Sequence, residues 1–198
     1  MLIADGFTDE AVQRCVIEAV RVGRLWLHLR DHEASDEAFA WSARALMEEV
    51  RAVRPKTAVS VNTHIGVAGA LGLGLHVGAR GPSVAEARRG QPEALLSYSA
   101  HTVDEARAAA QQGACAVLFS PIFPTTSKPN HVGVGLDALA ACCRAVPNTP
   151  VYALGGITPD RVADCLDAGA YGVAALSGIL HAPDPAAATA RYLAELQP

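Results

Sequence analysis

Residues 151–180, VYALGGITPDRVADCLDAGAYGVAALSGIL, decide the reading of the chain. An apolar strand (Val151–Leu154) runs into a Gly155-Gly156 turn, and a helix opens at Thr158-Pro159-Asp160. A second apolar strand (Val173–Leu176) then empties into Ser177-Gly178. Each strand thus ends in a turn of small residues. Glycine lets the backbone approach a ligand closely, and successive N–H groups at a helix start favour an anion. Two such turns on neighbouring parallel strands make a phosphate cradle, which in an eight-stranded β/α barrel belongs at the last two strand ends. The plainer alternative is an ordinary αβ unit whose glycines serve close packing.

Outward from this stretch the same alternation repeats. Leu2–Ala4 reads as a short first strand, followed by a helix from Asp9. Arg24–Arg30 (RLWLHLR) is the second strand, with Trp26, His28 and Arg30 on one side and Leu25, Leu27 and Leu29 on the other. Ser35 caps a helix whose apolar stripe is Phe39, Ala43, Leu46, Met47 and Val50. Further strands fall at Ala58–Asn62, Leu75–Val77, Leu95–Ser99 and Ala116–Ser120. Thr102 and Glu105 have capping-box spacing, and Asp184-Pro185 opens the last helix. Strands and helices alternate eight times with no linker or break in composition. Residues 1–198 therefore read as one domain of the α/β class, a single (β/α)8 TIM barrel. A doubly wound sheet is the alternative that periodicity alone leaves open.

Composition narrows the function. The chain has 198 residues, is 51% hydrophobic and 18% charged, and carries a net charge of −4. It is globular, and with no basic cluster it is not expected to bind nucleic acid. Its first residues, MLIADGFTDE, lack the basic start of a signal peptide. Residues 57–79 lack Asp, Glu, Lys and Arg, but Ser60, Asn62, Thr63, His64 and His76 interrupt them. We read two strands and a short helix there, not a membrane span. Five cysteines without a CxxC read as buried, reduced thiols of a cytoplasmic protein. The oligomeric state is open, a homo-oligomer included.

In β/α barrels chemistry sits at the carboxyl ends of strands. Six of the seven histidines fall at those ends or in the loops that follow them. Arg30 and Lys128 are the candidate cations for an anionic substrate, against the plainer reading as surface charges. His28 and His101 are candidate proton carriers, and His131 a third; each can equally be a hydrogen-bonded barrel histidine. His76 reads as structural. Asn62 either anchors a polar ring substituent or ties a loop. Asp31, beside Arg30, reads as its salt-bridge partner. No pair of acids faces the mouth, so no metal site and no cofactor is expected.

At these residues the chain resembles the thiamine-phosphate synthase / TenI family of small β/α barrels. The likeness runs through HLRDH (28–32), VNTH (61–64), HVG (76–78), SYSAHTVDEA (97–106), LFSPIFPTTSKPNHVGVGL (118–136), ALGGITPDRV (153–162) and GVAALSGI (172–179). It implies a phosphate cradle at Gly155, Gly156, Ser177 and Gly178, and a pocket lined by Arg30, Asn62, Thr125, Ser127 and Lys128. Synthases of the family join an aminopyrimidine diphosphate to a thiazole phosphate, using Mg²⁺ held by an Asp after strand three and another after strand four. Here those places hold Thr63 and Gly81. The TenI branch instead aromatises a thiazole phosphate carboxylate by moving a proton, without metal. Its strand-two motif resembles His28-Leu29-Arg30-Asp31, but its loop histidine is Pro121 here. The resemblance implies a TenI-like, metal-independent thiazole tautomerase in which His101 or His28 moves the proton. The alternatives are a thiamine-phosphate synthase and a non-catalytic binder of thiazole or thiamine phosphate.

Overall fold

The computed structural model describes residues 1–125 and 132–196. Eight parallel strands follow one another around a sheet in chain order. They are β1 (Leu2–Asp5), β2 (Trp26–Arg30), β3 (Ala58–Asn62), β4 (Gly74–Val77), β5 (Leu96–Ala100), β6 (Ala116–Phe119), β7 (Val151–Leu154) and β8 (Gly172–Ala174). Past the end of β8, Ala175 pairs with Leu2, and Ile3 N–H donates to the Ala175 carbonyl at 2.9 Å, which closes the barrel. The doubly wound alternative is thereby removed: no strand order reverses and the two edges meet.

The connecting helices are α1 (Glu10–Val22), α2 (Asp36–Val53), α3 (Ile65–Leu71), α4 (Val84–Gly90), α5 (Val103–Gln111), α6 (Gly135–Ala145) and α7 (Val162–Asp167). A short α8 (Ser177–Leu180) and a closing α9 (Pro185–Ala194) complete the described chain. The expected caps form: Ser35 accepts from Ala38 N–H, Thr102 from Glu105 N–H and Asp184 from Ala187 N–H. At Thr102 the reciprocal bond differs from the expected box, because the Glu105 carboxylate takes the His101 amide at 2.7 Å. The complete box belongs to Ser83 and Glu86. The helix expected at Thr158 begins as a 3₁₀ turn, Pro159–Arg161, before α7.

Side chains alternate across each strand, so the barrel has two cores. Outward-facing Leu27, Leu29, Val59, Val61, Leu75 and Val117 pack against the helices, where the predicted α2 stripe is fully buried. The inside of the barrel is divided. Ile3, Leu118 and Ala174 form an apolar wall, with Tyr152, Leu154 and Leu176 against it. Opposite lies a buried polar column of His28, Ser60, His76 and Ser97. Every buried polar side chain in that column has a partner, as burial without water requires. Trp26 Nε1 donates to Ser60 Oγ at 2.9 Å, and His28 Nδ1 lies 3.1 Å from the same oxygen. His76 reaches Ser97 Oγ with Nδ1 and Ser99 Oγ with Nε2, both at 2.8 Å. The His28 and His76 rings meet at 4.6 Å. Of the cysteines, Cys142 and Cys165 are buried as expected, Cys15 and Cys143 are partly so, and Cys115 departs from expectation by being exposed.

Candidate functional site

Because the strands are parallel, both small-residue turns of the opening stretch emerge at the same end of the barrel. The structure brings all four residues of the expected cradle, Gly155, Gly156, Ser177 and Gly178, onto one cavity of about 360 Å³. Gly155 and Gly156 have φ of 101° and 64°, the left-handed region that glycine enters at no steric cost. A Cβ at Gly155 would meet Pro121 Cβ at 2.7 Å, and one at Gly156 would meet the Pro124 carbonyl oxygen at 2.3 Å. The glycines thus serve close packing as well as an open amide surface. Among the described residues, the amides of Gly156, Ser177 and Gly178 donate to no backbone carbonyl.

The glycine turn is braced by residues that the sequence reading did not single out. Arg161 donates to the Gly156 carbonyl at 2.7 Å and lies over the Phe123 ring at 4.6 Å. Tyr192, from α9, donates its hydroxyl to the Ile157 carbonyl at 2.8 Å beneath the turn. Arg161 was available in the ITPDR run directly after the glycines. Tyr192 carried no signal, since only the closing of the ring brings the last helix here.

Arg30 reaches this cavity from β2, and Thr125 lies on its rim. The acid beside Arg30 corrects the sequence reading. Arg30 Nε pairs with Asp5 Oδ1 at 2.7 Å, not with Asp31. Asp5 belongs to β1, one residue beyond the strand end that the sequence suggests at Ala4. Asp31 instead accepts from the Thr8 hydroxyl and from the amides of Glu33 and Ala34, at 3.0 and 3.2 Å. Burial opposes its charge, yet these donors hold its carboxyl below the usual range. The Asp5 pair fixes the Arg30 fork while leaving its remaining donors for an anion.

The two proton-carrier candidates lie in different places. His28 points into the barrel interior, only 2% exposed, and is not among the residues that line the cavity. Burial, with His76 and Arg30 nearby, pushes its pKa well below the ordinary value, so the ring stays neutral. His101 is exposed and, like His28, is not among the residues that line the cavity; its Nδ1 donates to the carbonyl of Ser120, a cavity residue, at 2.7 Å. A carbonyl only accepts, so in the neutral ring the proton sits on Nδ1 and Nε2 keeps its lone pair. Asn62 ends β3 outside this cavity. Ser127, Lys128 and His131 lie outside the described residues.

At the β3 and β4 ends, Thr63 takes a left-handed φ of 48°, uncommon for a β-branched residue. A Cβ on Gly81 would lie 3.1 Å from Thr63 Cγ2, so these two positions face each other. The nearby His64 is engaged by Asp36, 2.7 Å from its Nδ1. Among the described residues no group of three His, Cys, Asp or Glu side chains could hold a metal ion.

The family described as thiamine monophosphate synthase (TMP-TENI) matches residues 1–179. The chain belongs to this family. A thiamine-phosphate synthase of Salinibacter ruber is 43% identical over 71% of the chain and 63% of its own length. One of Chloroflexus aurantiacus is 39% identical over 96% of the chain and 88% of its own length. Among solved structures, thiamine phosphate pyrophosphorylase from Pyrococcus furiosus superposes with a TM-score of 0.88 at 23% identity, covering 98% of this chain and 94% of the other. 3-Hexulose-6-phosphate synthase superposes at 0.73 with 16% identity, over 99% of both chains. These two likenesses establish the fold. Within the thiamine monophosphate synthase family, Thr63 and Gly81 stand at the places where the resemblance implied the metal-holding acids. A hydroxyl and a glycine offer Mg²⁺ no carboxylate, so the residues present do not fit that ion.

Proposed function

We propose that this member of the thiamine monophosphate synthase family binds a thiazole phosphate and isomerises it by proton transfer, without a metal. The phosphate sits on the amides of Gly155, Gly156, Ser177 and Gly178, and Arg30 takes the second anionic group of a thiazole phosphate carboxylate. The observation that carries this reading is Thr63 facing Gly81: the pair supplies no acid for the metal that a diphosphate leaving group needs. Proton transfer within one substrate asks for less, namely a single group that takes a proton from one atom and returns it to another. His101, tied through Nδ1 to the carbonyl of the cavity residue Ser120, takes that role through its Nε2 lone pair, and Thr125 lines the cavity. Ser127 and Lys128 complete the pocket in this proposal.

Replacement of His101 by Asn keeps a polar side chain and removes the imidazole. It is expected to lower kcat for thiazole isomerisation by about 10²-fold with little change in KM. The same change at His28 is expected to act mainly on stability. Equal kcat in wild type and the His101 variant would remove His101 from the mechanism.

A second reading has specific support. The relatives from Salinibacter ruber and Chloroflexus aurantiacus are both thiamine-phosphate synthases, and Ser120-Pro121-Ile122-Phe123 is synthase-like. Parallel assays separate the two. Supplied with an aminopyrimidine diphosphate, a thiazole phosphate and Mg²⁺, the protein is expected to form no coupled product, while it converts the thiazole phosphate carboxylate alone. Coupled product that disappears on adding EDTA would establish the transferase instead. Binding without either turnover would make the protein a non-catalytic binder.

A further inference from the structure

The opposite end of the barrel has a cavity of its own. It opens where β2, β3, β6 and β7 begin and holds about 810 Å³. Three aromatic rings form one wall: Trp26 meets Tyr152 edge-on at 5.6 Å, and Tyr152 meets Tyr171 at 5.5 Å. Tyr171 ends this row 69% exposed, which leaves a large ring open to solvent beside the cavity. Arg24, Arg54 and Lys56 line the same space. None of the three forms an ion pair among the described residues, and no described Asp or Glu lines the cavity. Arg54 is held in place by donating Nε to the Val20 carbonyl at 2.9 Å and Nη2 to that of Arg21 at 3.2 Å. A neighbouring cavity of about 310 Å³ shares Arg24 and the three rings and includes Thr189, whose buried hydroxyl has no partner among the described residues.

We infer that this amino-terminal end of the barrel is a second binding site, for a planar aromatic molecule that carries an anionic group. Rings stack or meet edge-on with an aromatic wall, and guanidinium and ammonium groups that form no ion pair with a described carboxylate take the anion. The space matches that of small-molecule sites. It is separate from the mouth because the barrel between them is filled: Trp26 is tied to Ser60, and His28 and His76 pack above. Chemistry in β/α barrels occurs at the other end, so the occupant is an effector and not a substrate.

Adenosine 5′-monophosphate is a suitable probe, with adenosine and inorganic phosphate as its separate halves. Trp26 fluorescence is followed in a Trp41→Phe background, since Trp41 is an exposed residue of α2. The mouth is closed to anions by Ser177→Asp. Saturable quenching by the monophosphate is expected, with adenosine and phosphate each at least about tenfold weaker. Tyr171→Ala and Lys56→Glu change exposed residues, leave the fold intact, and are expected to weaken binding about tenfold or more. Cys115 lines this cavity, so the probe is also expected to slow its alkylation. Absence of saturable quenching at millimolar probe overturns the inference. So does binding that survives both cavity variants, or binding that appears only when Ser177 is intact. The Ser177→Asp background keeps this outcome independent of the function proposed for the mouth.

Discussion

Gly156→Ala is expected to lose thiazole phosphate binding by about a hundredfold or more, through the loss of charge-assisted amide hydrogen bonds worth about 1.5–3 kcal/mol each. The new methyl would sit 2.3 Å from the Pro124 carbonyl oxygen and 2.9 Å from Phe123 Cβ. The first contact is backbone, which cannot swing aside like the tip of a side chain. Either the turn or the Pro124 segment must shift, and both border the cradle. The φ of 64° adds a left-handed penalty of roughly 1–2 kcal/mol for alanine. Destabilisation of about 2–4 kcal/mol should therefore accompany the loss of binding. Gly66→Ala is the control, since nothing lies within 4 Å of its added Cβ in α3 and its φ is ordinary. That variant should be as stable as wild type or slightly more so. Calorimetric titration with the thiazole phosphate, beside thermal melts, reads both effects. Wild-type affinity in the Gly156 variant would show that the turn does not hold the phosphate.

Acid should destabilise the fold well before its carboxylates titrate. Burial and the Arg30 charge push the His76 pKa from 6.5 to about 4, and His28 is lowered in the same direction. In the unfolded chain both rings take up protons near the ordinary value. Between these pH values the unfolded state binds more protons, so stability rises with pH. The contribution is fully present above about pH 6.5 and is lost as pH falls toward about 4, amounting to about 3 kcal/mol for His76 alone. Asp31 acts in a lower window, since its pKa lies below 3.8. Urea midpoints measured from about pH 7.5 to 4.5 should fall steadily through this range. His76→Gln can bond both serines but does not titrate, so its profile should be flatter. A profile as steep as that of wild type would remove His76 as the cause.

The sequence by itself determined the barrel and its orientation. Eight apolar strands separated by helical stripes permit few parallel arrangements, and strand alternation already placed Trp26, His28 and Arg30 on one side. It also placed the Gly155-Gly156 and Ser177-Gly178 turns side by side, because they directly follow strands that must be neighbours. The missing acids at Thr63 and Gly81 were equally legible, as was the family, from motifs along most of the chain. Tertiary structure alone decided which groups meet across the ring. In sequence Asp31, next to Arg30, is its evident partner, yet parallel pairing sets Asp5 opposite Arg30 in register. His28 and His101 are both strand-end histidines in sequence. Barrel closure buries the first against His76 and leaves the second exposed, its Nδ1 on the Ser120 carbonyl. Arg161 and Tyr192 brace the glycine turn through carbonyls of Gly156 and Ile157, contacts that no local pattern encodes. Burial and pairing depend on distances between residues far apart in the chain, and those distances exist only once the eighth strand meets the first.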